Sequence, residues 1–414
     1  MKRTILAHIA ELATPKGREA RQGARMNELS VTRDAAVVIE GENILAVGDT
    51  DTILSSYRDG AEIRDLSGHA VVPGFVDSHT HFLFGGYRPE EFMMRLAGES
   101  YLAIHKAGGG IECTVEKTRN ETEEQMDREG RARLRDALQM GVTSMEGKSG
   151  YGLDRDTELR MLRVMRKLDK EQPVEITPTY LGGHSVPREY RDRPDGYIDW
   201  MIREMLPLIR EERLAAFVDI FCEDGVFTAA QSEKLLSAAS AMGFGTKIHA
   251  DEIMSTGGAE LAVGLHSVSA DHLLMISDQG IRDLAGSGTV ATLLPCTAFC
   301  LAKPYAPARK LIDAGCAVAL ASDYNPGSCF TGSIPLLFAL AVIHMHMSLP
   351  EALCALTLNG AAAIGRADRI GSIEPGKQAD LVVLNHPEYE FLVYNTAVNQ
   401  VHEVYKKGVS VCHR

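Results

Sequence analysis

The chain's 414 residues suffice for one large domain and a smaller companion, and a 45% hydrophobic share is enough to fill a globular core. A net charge of −13 excludes general attraction for nucleic acid or an anionic membrane surface, so an anionic ligand would need a local cationic pocket. Eight scattered cysteines without a Cys-x-x-Cys exclude a disulfide framework, and no apolar stretch reaches the roughly 18–20 residues of a membrane span.

The opening segment is no signal peptide, because His8 and Glu11 interrupt its apolar run, and a soluble, cytoplasmic protein is expected. Residues 1–72 read as short strands. The apolar run 35–40, the turn Gly41-Glu42-Asn43 and the return over 44–47 make a hairpin signal. Residues 13–34 are polar and basic and read as a surface loop, and 65–69 as a turn. From Pro73 onward short apolar runs alternate with longer amphipathic ones. Strands are expected at 74–79, 142–147, 174–181, 217–222, 246–250, 267–272, 290–294 and 317–323. Helices are expected between them at 122–140, 156–171, 197–213, 229–242, 256–263, 278–285 and 305–314. Two more helical stretches, 333–347 and 350–364, precede strand patterns at 379–384, 398–406 and 409–412. The fold class is therefore α/β: a TIM-like (β/α)8 barrel over 73–365, with a small composite β-sandwich built from 1–72 and 366–414.

Catalytic groups in such barrels sit at the C-terminal ends of the strands. Strand one ends His79-Thr80-His81, and period-2 alternation sends both imidazoles to one face. The third strand leads to Gly182-Gly183-His184, the fifth ends His249-Ala250-Asp251-Glu252, the sixth Asp271-His272 and the eighth Ser322-Asp323. Each alone reads as a surface or core residue; five on one rim read as a metal site. Three histidines and a carboxylate from this rim suit zinc or iron, with Asp323 a candidate ligand, and leave a position for water, whose pKa such an ion lowers to roughly 7. Asp323 would also take a proton, with His272 and Glu252 as acid–base or orienting groups. Cys296 and Cys300 lack the second pair that a thiolate metal site needs. His105, His266, His344, His346, His386, His402 and His413 lie away from strand ends and read as ordinary histidines.

These motifs resemble the amidohydrolase superfamily. The finer resemblance, to the imidazolonepropionases of histidine degradation, rests on Pro73-Gly74-Phe75-Val76-Asp77-Ser78-His79-Thr80-His81 continuing to Arg88, on Gly108-Gly109-Gly110-Ile111, on Lys148-Ser149-Gly150-Tyr151-Gly152-Leu153, on Thr179-Tyr180-Leu181-Gly182-Gly183-His184, on Asp219-Ile220-Phe221-Cys222-Glu223, and on Asp323-Tyr324-Asn325-Pro326-Gly327-Ser328. The resemblance spans nearly the whole chain. It implies metal-dependent ring-opening hydrolysis of 4-imidazolone-5-propanoate to N-formimidoyl-L-glutamate, one Zn or Fe ion held by His79, His81, His249 and Asp323, and a homodimer. Arg88 would offer a bidentate fork to the substrate's carboxylate, with the Tyr151 hydroxyl and the backbone and side-chain donors of Asn325, Gly327 and Ser328 beside it. His184 would stabilise charge on the ring carbonyl and Glu252 would meet a ring nitrogen. With one metal, Lys148 reads as structural or charge-balancing rather than as a ligand. Gly147 and the segment 294–300 depart from the family pattern and are expected near the pocket, where they would alter substrate fit. The alternative is another cyclic amidase or deaminase of the superfamily acting on a small heterocycle, but a neutral base has no use for an anion clamp of Arg88 and Tyr151.

Overall fold

The computed structural model describes residues 3–99 and 109–413; His105 and Gly108 lie outside the described residues. The first strands are β1 (Arg3–Thr14), β2 (Ser30–Glu40), β3 (Asn43–Asp49), β4 (Ala61–Asp65) and β5 (Ala70–Pro73). The barrel strands follow as β6 (Phe75–Asp77), β7 (Val142–Lys148), β8 (Glu175–Gly183), β9 (Phe217–Cys222), β10 (Gly245–Ala250), β11 (Ser269–His272), β12 (Val290–Leu293) and β13 (Ala317–Leu320). The chain ends with β14 (Leu381–Leu384), β15 (Val401–Lys406) and β16 (Val409–His413).

Strands β6 to β13 pair in parallel in chain order, with helices between them, which is the expected (β/α)8 arrangement. The strands from the two chain ends form one mixed eight-stranded sheet, ordered β16-β15-β14-β5-β1-β2-β3, with β4 also on β1. The sheet branches because one edge of β1 is shared: β4 pairs with Arg3–Ala7 and β5 with Glu11 and Leu12. Alternation buries both faces of this sheet. Val71, Leu381 and Val383 enter the sheet's own core, whereas Ala70, Val72, Val382 and Leu384 join the main core under the barrel.

Several local expectations differ. The loop read over 13–34 is shorter, because β1 runs to Thr14, β2 starts at Ser30, and a 3-10 turn over Gly23–Asn27 buries Met26. Thr50–Tyr57 is a helix the apolar pattern does not announce; its signal is the Asp49 carboxylate accepting the Thr52 N–H. The helical stretches read over 197–213 and 333–347 each contain a π segment, Met201–Met205 and Leu340–His344. Between β5 and β6 the chain passes from sheet to barrel through Gly74, where a Cβ would lie 2.3 Å from the Thr143 hydroxyl.

The sheet and the barrel are also joined by charge. Glu175, at the start of β8, lies 2.7 Å from Lys406 Nζ and 2.8 Å from Arg366, and accepts a 2.7 Å bond from Gln378. Burial opposes its ionisation, but Lys406 and Arg366 outweigh it and hold the carboxyl far below its ordinary range. A depressed carboxylate contributes stability that is complete above the unfolded pKa and is lost as pH falls through the folded one. Glu175→Gln should therefore cost on the order of 3 kcal/mol at neutral pH, with a smaller cost below about pH 4. Urea unfolding at pH 7 and at pH 4 checks this; equal costs at both would show that the ion pairs do not hold the joint.

Candidate metal and active site

The site begins at the seam where the barrel closes. β6 and β13 are not paired along their lengths; the seam is stitched just beyond their ends. Asp77 Oδ1 accepts the Ser322 N–H at 2.9 Å and Oδ2 accepts the Ser322 hydroxyl at 2.6 Å. The Asp323 N–H donates to the His79 carbonyl at 3.0 Å, and the His81 N–H to the Tyr324 carbonyl at 2.9 Å. Bonds that close the barrel thus also place His79, His81 and Asp323.

The three side chains converge. His79 Nε2 lies 3.5 Å and His81 Nε2 3.4 Å from Asp323 Oδ1. The His249 ring centroid is 4.6 Å from that of His79 and 5.1 Å from that of His272. All five residues are buried. Behind the rings, Asp271 Oδ2 is 2.7 Å from His79 Nδ1, and Asp219 Oδ2 is 2.9 Å from His249 Nδ1. A carboxylate only accepts, so the bond to Asp271 keeps a proton on His79 Nδ1, and Asp219, close to His249 Nδ1 but off the hydrogen-bond line, favours the same tautomer there by its charge; both leave the Nε2 lone pair facing the site. Burial, with the nearby Lys148, drives His79 well below the usual histidine range. Burial also lowers His249 to about 4, although Asp219 opposes it. Both rings are therefore neutral at pH 7, the state that binds a metal.

Whether a cation fits can be judged from the orphaned atoms. His79 Nε2, His81 Nδ1 and both nitrogens of His249 and of His272 are buried without a partner in hydrogen-bond geometry. Leaving such groups unsatisfied costs about 1–3 kcal/mol each. The ligand atoms of His79, His81 and Asp323 lie within 4.8 Å of one another, as do those of His79, His249 and His272. A buried lone-pair cluster with one carboxylate fits a metal ion. Burial opposes ionisation of Asp323, but His81, His79 and His272 hold its carboxyl far below the usual range. Asp323 and His272 both adopt left-handed backbone, φ 53° and 79°. That conformation costs non-glycine residues about 1–3 kcal/mol and turns each side chain off its strand end into the site.

Beneath this cluster five charged side chains fill the barrel interior: Glu146, Lys148, Asp219, Lys247 and Asp271, all 0% exposed. Lys148 Nζ is 2.7 Å from Asp219, 3.1 Å from Glu146 and 3.5 Å from Asp271. Lys247 Nζ is 2.6 Å from Glu146 and donates to the Ser78 carbonyl at 3.1 Å. Burial alone would lower the Lys148 pKa; its three carboxylate neighbours outweigh that and keep it charged. Lys148 is thus consumed in ion pairs, in keeping with the charge-balancing reading. The roles of Glu146, Asp219 and Lys247 were not read from the sequence, although a signal existed: charged residues two apart on apolar strands, as in Glu146/Lys148 and Lys247/His249, point inward together.

The remaining expected residues ring the mouth. Glu252 Oε2 is 3.6 Å from His272 Nδ1, and burial raises the Glu252 pKa. Its loop is pinned on both sides, since Glu223 accepts the Ile253 and Met254 N–H groups and Asp251 accepts those of Thr256 and Ala259. The His184 ring stacks on His81 at 4.8 Å, with Nδ1 3.2 Å from the Gly150 carbonyl. Tyr151 lies 5.8 Å from His81 and 5.1 Å from His184; burial raises its phenol well above the usual range, against the pull of Arg88. Arg88 NH1 pairs with Glu91 at 3.2 Å, whereas its Nε has no partner. Its NH2 lies where a Cβ on Gly327 would sit, 1.6 Å away, so a side chain at Gly327 would displace the guanidinium.

Two expectations need correcting, and a third holds. The amides of Gly327 and Ser328, expected to face an anion, donate to Asn325 Oδ1 at 2.9 and 2.8 Å, while Asn325 Nδ2 donates to the Asp323 carbonyl. The loop is held by its own asparagine. Gly147 does not line the pocket: between inward Glu146 and Lys148 it faces the helices, where a Cβ would lie 2.6 Å from Phe82. The segment after β12 does reach the site, but through Thr297, whose hydroxyl donates to Asp323 Oδ2 at 2.6 Å.

Comparison with known proteins gives the following. The amidohydrolase family profile matches residues 98–412. The chain is 54% identical over 406 residues to an imidazolonepropionase of Parabacteroides distasonis, covering 98% of this chain and 97% of the relative. It is 52% identical over 405 residues to an imidazolonepropionase of Clostridium tetani, covering 98% and 97%. Among solved structures, an adenosine deaminase from Xanthomonas campestris with bound zinc superposes with a TM-score of 0.72 at 20% identity, covering 98% of this chain and 92% of that one. A triazine hydrolase variant superposes with a TM-score of 0.76 at 16% identity, covering 100% and 95%. At such identities these structures speak for the fold alone.

The backing carboxylates generate a prediction. Asp219→Asn keeps the shape but weakens the hold on the His249 Nδ1 proton. Metal affinity should fall about 10- to 100-fold with the far-UV circular dichroism unchanged. Competition with a chromophoric chelator measures it, and unchanged affinity would remove Asp219 from the account.

Proposed function

We propose, from its place in the imidazolonepropionase family of amidohydrolases, to which the chain belongs, that it hydrolyses 4-imidazolone-5-propanoate to N-formimidoyl-L-glutamate in histidine degradation. The observation that carries this reading is a buried lone-pair cluster with a guanidinium nearby: Tyr151 lies 5.8 Å from His81, and its phenol feels both Arg88 and Asp323. A small heterocycle with a carboxylate tail suits that arrangement.

His79, His81, His249 and Asp323 would hold one ion, and their nitrogen and oxygen donors suit Zn or Fe. When bound, the ion supplies Lewis-acid polarisation and a water acidic enough to react near neutral pH. The chain's own groups account for the remainder. Water adds to the ring carbonyl carbon, and the bond from that carbon to the adjacent ring nitrogen breaks. The freed nitrogen takes a proton, and the carbon, still bonded to its ring-carbon neighbour, becomes a carboxylate of the opened product as the second water proton is released. Asp323, whose Oδ1 lies 3.5 Å from His79 Nε2 and 3.4 Å from His81 Nε2, accepts the proton of the attacking water. His272, beside Asp323 and 3.6 Å from Glu252, orients the water. Glu252, whose pKa burial raises, carries a proton to the leaving nitrogen. His184, whose proton the Gly150 carbonyl keeps on Nδ1, offers its Nε2 lone pair to a ring N–H of the substrate rather than a donor to the carbonyl oxygen. Arg88 forks the propanoate, with the Tyr151 and Ser328 hydroxyls as further donors; Asn325 and Gly327 shape the loop on which Arg88 rests. A cytoplasmic homodimer follows from the same family reading, and sedimentation of the purified protein tests the dimer.

The decisive experiment follows the loss of 4-imidazolone-5-propanoate with metal-depleted and with Zn- or Fe-reloaded protein. Activity should disappear on depletion and return with a metal; no turnover with either metal rejects the substrate. His272→Asn and Asp323→Asn should each lower kcat at least about 1000-fold with the fold retained, and full activity in either would sink its assigned role. Arg88→Met should raise KM roughly 100-fold with a smaller change in kcat, because the fork binds ground and transition states alike. A reduced kcat with unchanged KM would place Arg88 elsewhere in the reaction.

A further inference from the structure

The loop of residues 149–153, which carries Tyr151, is gathered around one buried carboxylate. Glu158 stands on the first turn of the helix Arg155–Glu171 and is 0% exposed. Its Oε1 accepts the N–H groups of Gly152 at 2.8 Å, Leu153 at 3.0 Å and Gly150 at 3.1 Å, and its Oε2 is also 3.1 Å from the Gly150 nitrogen. Glu158 is not needed to cap its own helix, because Asp154 already accepts the Thr157 N–H at 2.8 Å. The carboxylate acts backwards, on the loop.

The loop would not keep this shape unaided. Gly150 and Leu153 both have left-handed backbone, φ 105° and 53°. A Cβ on Gly150 would lie 2.6 Å from the Leu181 carbonyl and 2.9 Å from His184 Cβ, so the turn is pressed against the end of β8. From the other side, Arg119 Nε donates to the Gly152 carbonyl at 2.7 Å. Two site residues depend on the result. Tyr151 is presented beside His184, and the Gly150 carbonyl meets His184 Nδ1 at 3.2 Å. A carbonyl only accepts, so it holds the proton on Nδ1 and settles the His184 ring in one tautomer.

We propose that Glu158 is a positioning residue, which fixes the Tyr151 hydroxyl and the His184 ring for the bound substrate by gathering the amides of Gly150, Gly152 and Leu153 on one carboxylate. The inference rests on the functional reading above for what those two residues bind, and on geometry alone for how they are held.

Glu158→Gln tests it in the metal-loaded enzyme, since the amide group sets a donor against a donor at one of the three N–H groups. Hydrogen exchange should quicken about tenfold or more at residues 150–153 while peptides from the barrel strands stay unchanged. KM for 4-imidazolone-5-propanoate should rise about tenfold with kcat within about threefold, and Glu158→Gln combined with Tyr151→Phe should lose less than the sum of the two single effects. Glu158→Asp, which keeps the charge, should recover part of the loss, and it serves as the test variant if Glu158→Gln does not fold. Unchanged exchange in the loop overturns the proposal. So does quickened exchange across the whole barrel with a lowered Tm and an unchanged KM, since that is the mark of a merely structural glutamate. If the unaltered enzyme leaves the imidazolone intact, the functional reading falls, while the exchange pattern still decides whether Glu158 holds the loop.

Discussion

The constraint on which the rest of the structure depends is charge compensation inside the barrel. Glu146, Lys148, Asp219, Lys247 and Asp271 have no access to water and stabilise one another only at hydrogen-bond distances, 2.6 Å from Lys247 to Glu146 and 2.7 Å from Lys148 to Asp219. Removing one partner of such a group leaves an uncompensated buried charge, at a cost of about 3–5 kcal/mol. Three carboxylates against two lysines leave a net negative floor beneath the histidines. That surplus is directed, because Asp271 and Asp219 each face the Nδ1 of a neutral imidazole, His79 and His249. The floor therefore sets the tautomers, and the tautomers set where the Nε2 lone pairs point. A cation above the rings would complete the balance from the other side.

The second organising feature is that the barrel closes where its chemistry sits. The bonds from Asp77 to Ser322, Asp323 to His79 and His81 to Tyr324 replace a regular ladder between the first and eighth strands. A regular ladder would have carried Asp323 onward as an extended residue; instead its left-handed backbone turns the carboxylate inward. The same device recurs at His272, and at Asp251 with φ 51° beside Glu252. Backbone strain at three strand ends is tolerated because side-chain and backbone bonds over-determine each one. Two more buried carboxylates hold loops at the mouth in a related way, Glu158, from its helix, behind Tyr151 and Glu223 behind Glu252.

Much of this was legible in the sequence, and the reasons are local. The alternation of short apolar runs with amphipathic ones announced the barrel, since a periodicity of 2 or 3.6 is written in neighbouring residues. His79 and His81 share a face by the same rule, and strand ends at His249, His272 and Asp323 supplied their neighbours. Helix Thr50–Tyr57 escaped because it is short and its signal is a single capping aspartate rather than a periodic face. The donors of Gly327 and Ser328 were misjudged because an Asn-Pro-Gly turn does not say whether its amides face outward or fold onto the asparagine side chain.

The sequence by itself determined the fold class, the family resemblance and which histidines and acids end the barrel strands, because strand alternation and strand ends depend on residues adjacent in the chain. Only the tertiary structure decided which of those groups meet. Lys148 finds its partners 71 and 123 residues away, at Asp219 and Asp271, through the stagger of the parallel strands. Gly147 turns toward Phe82 and the helices rather than the pocket, since one residue of alternation separates it from Lys148. Arg88 comes to rest against Gly327, 239 positions later, only because strands one and eight close the barrel side by side. Contacts of that kind depend on closure and stagger, which no stretch of neighbouring residues encodes.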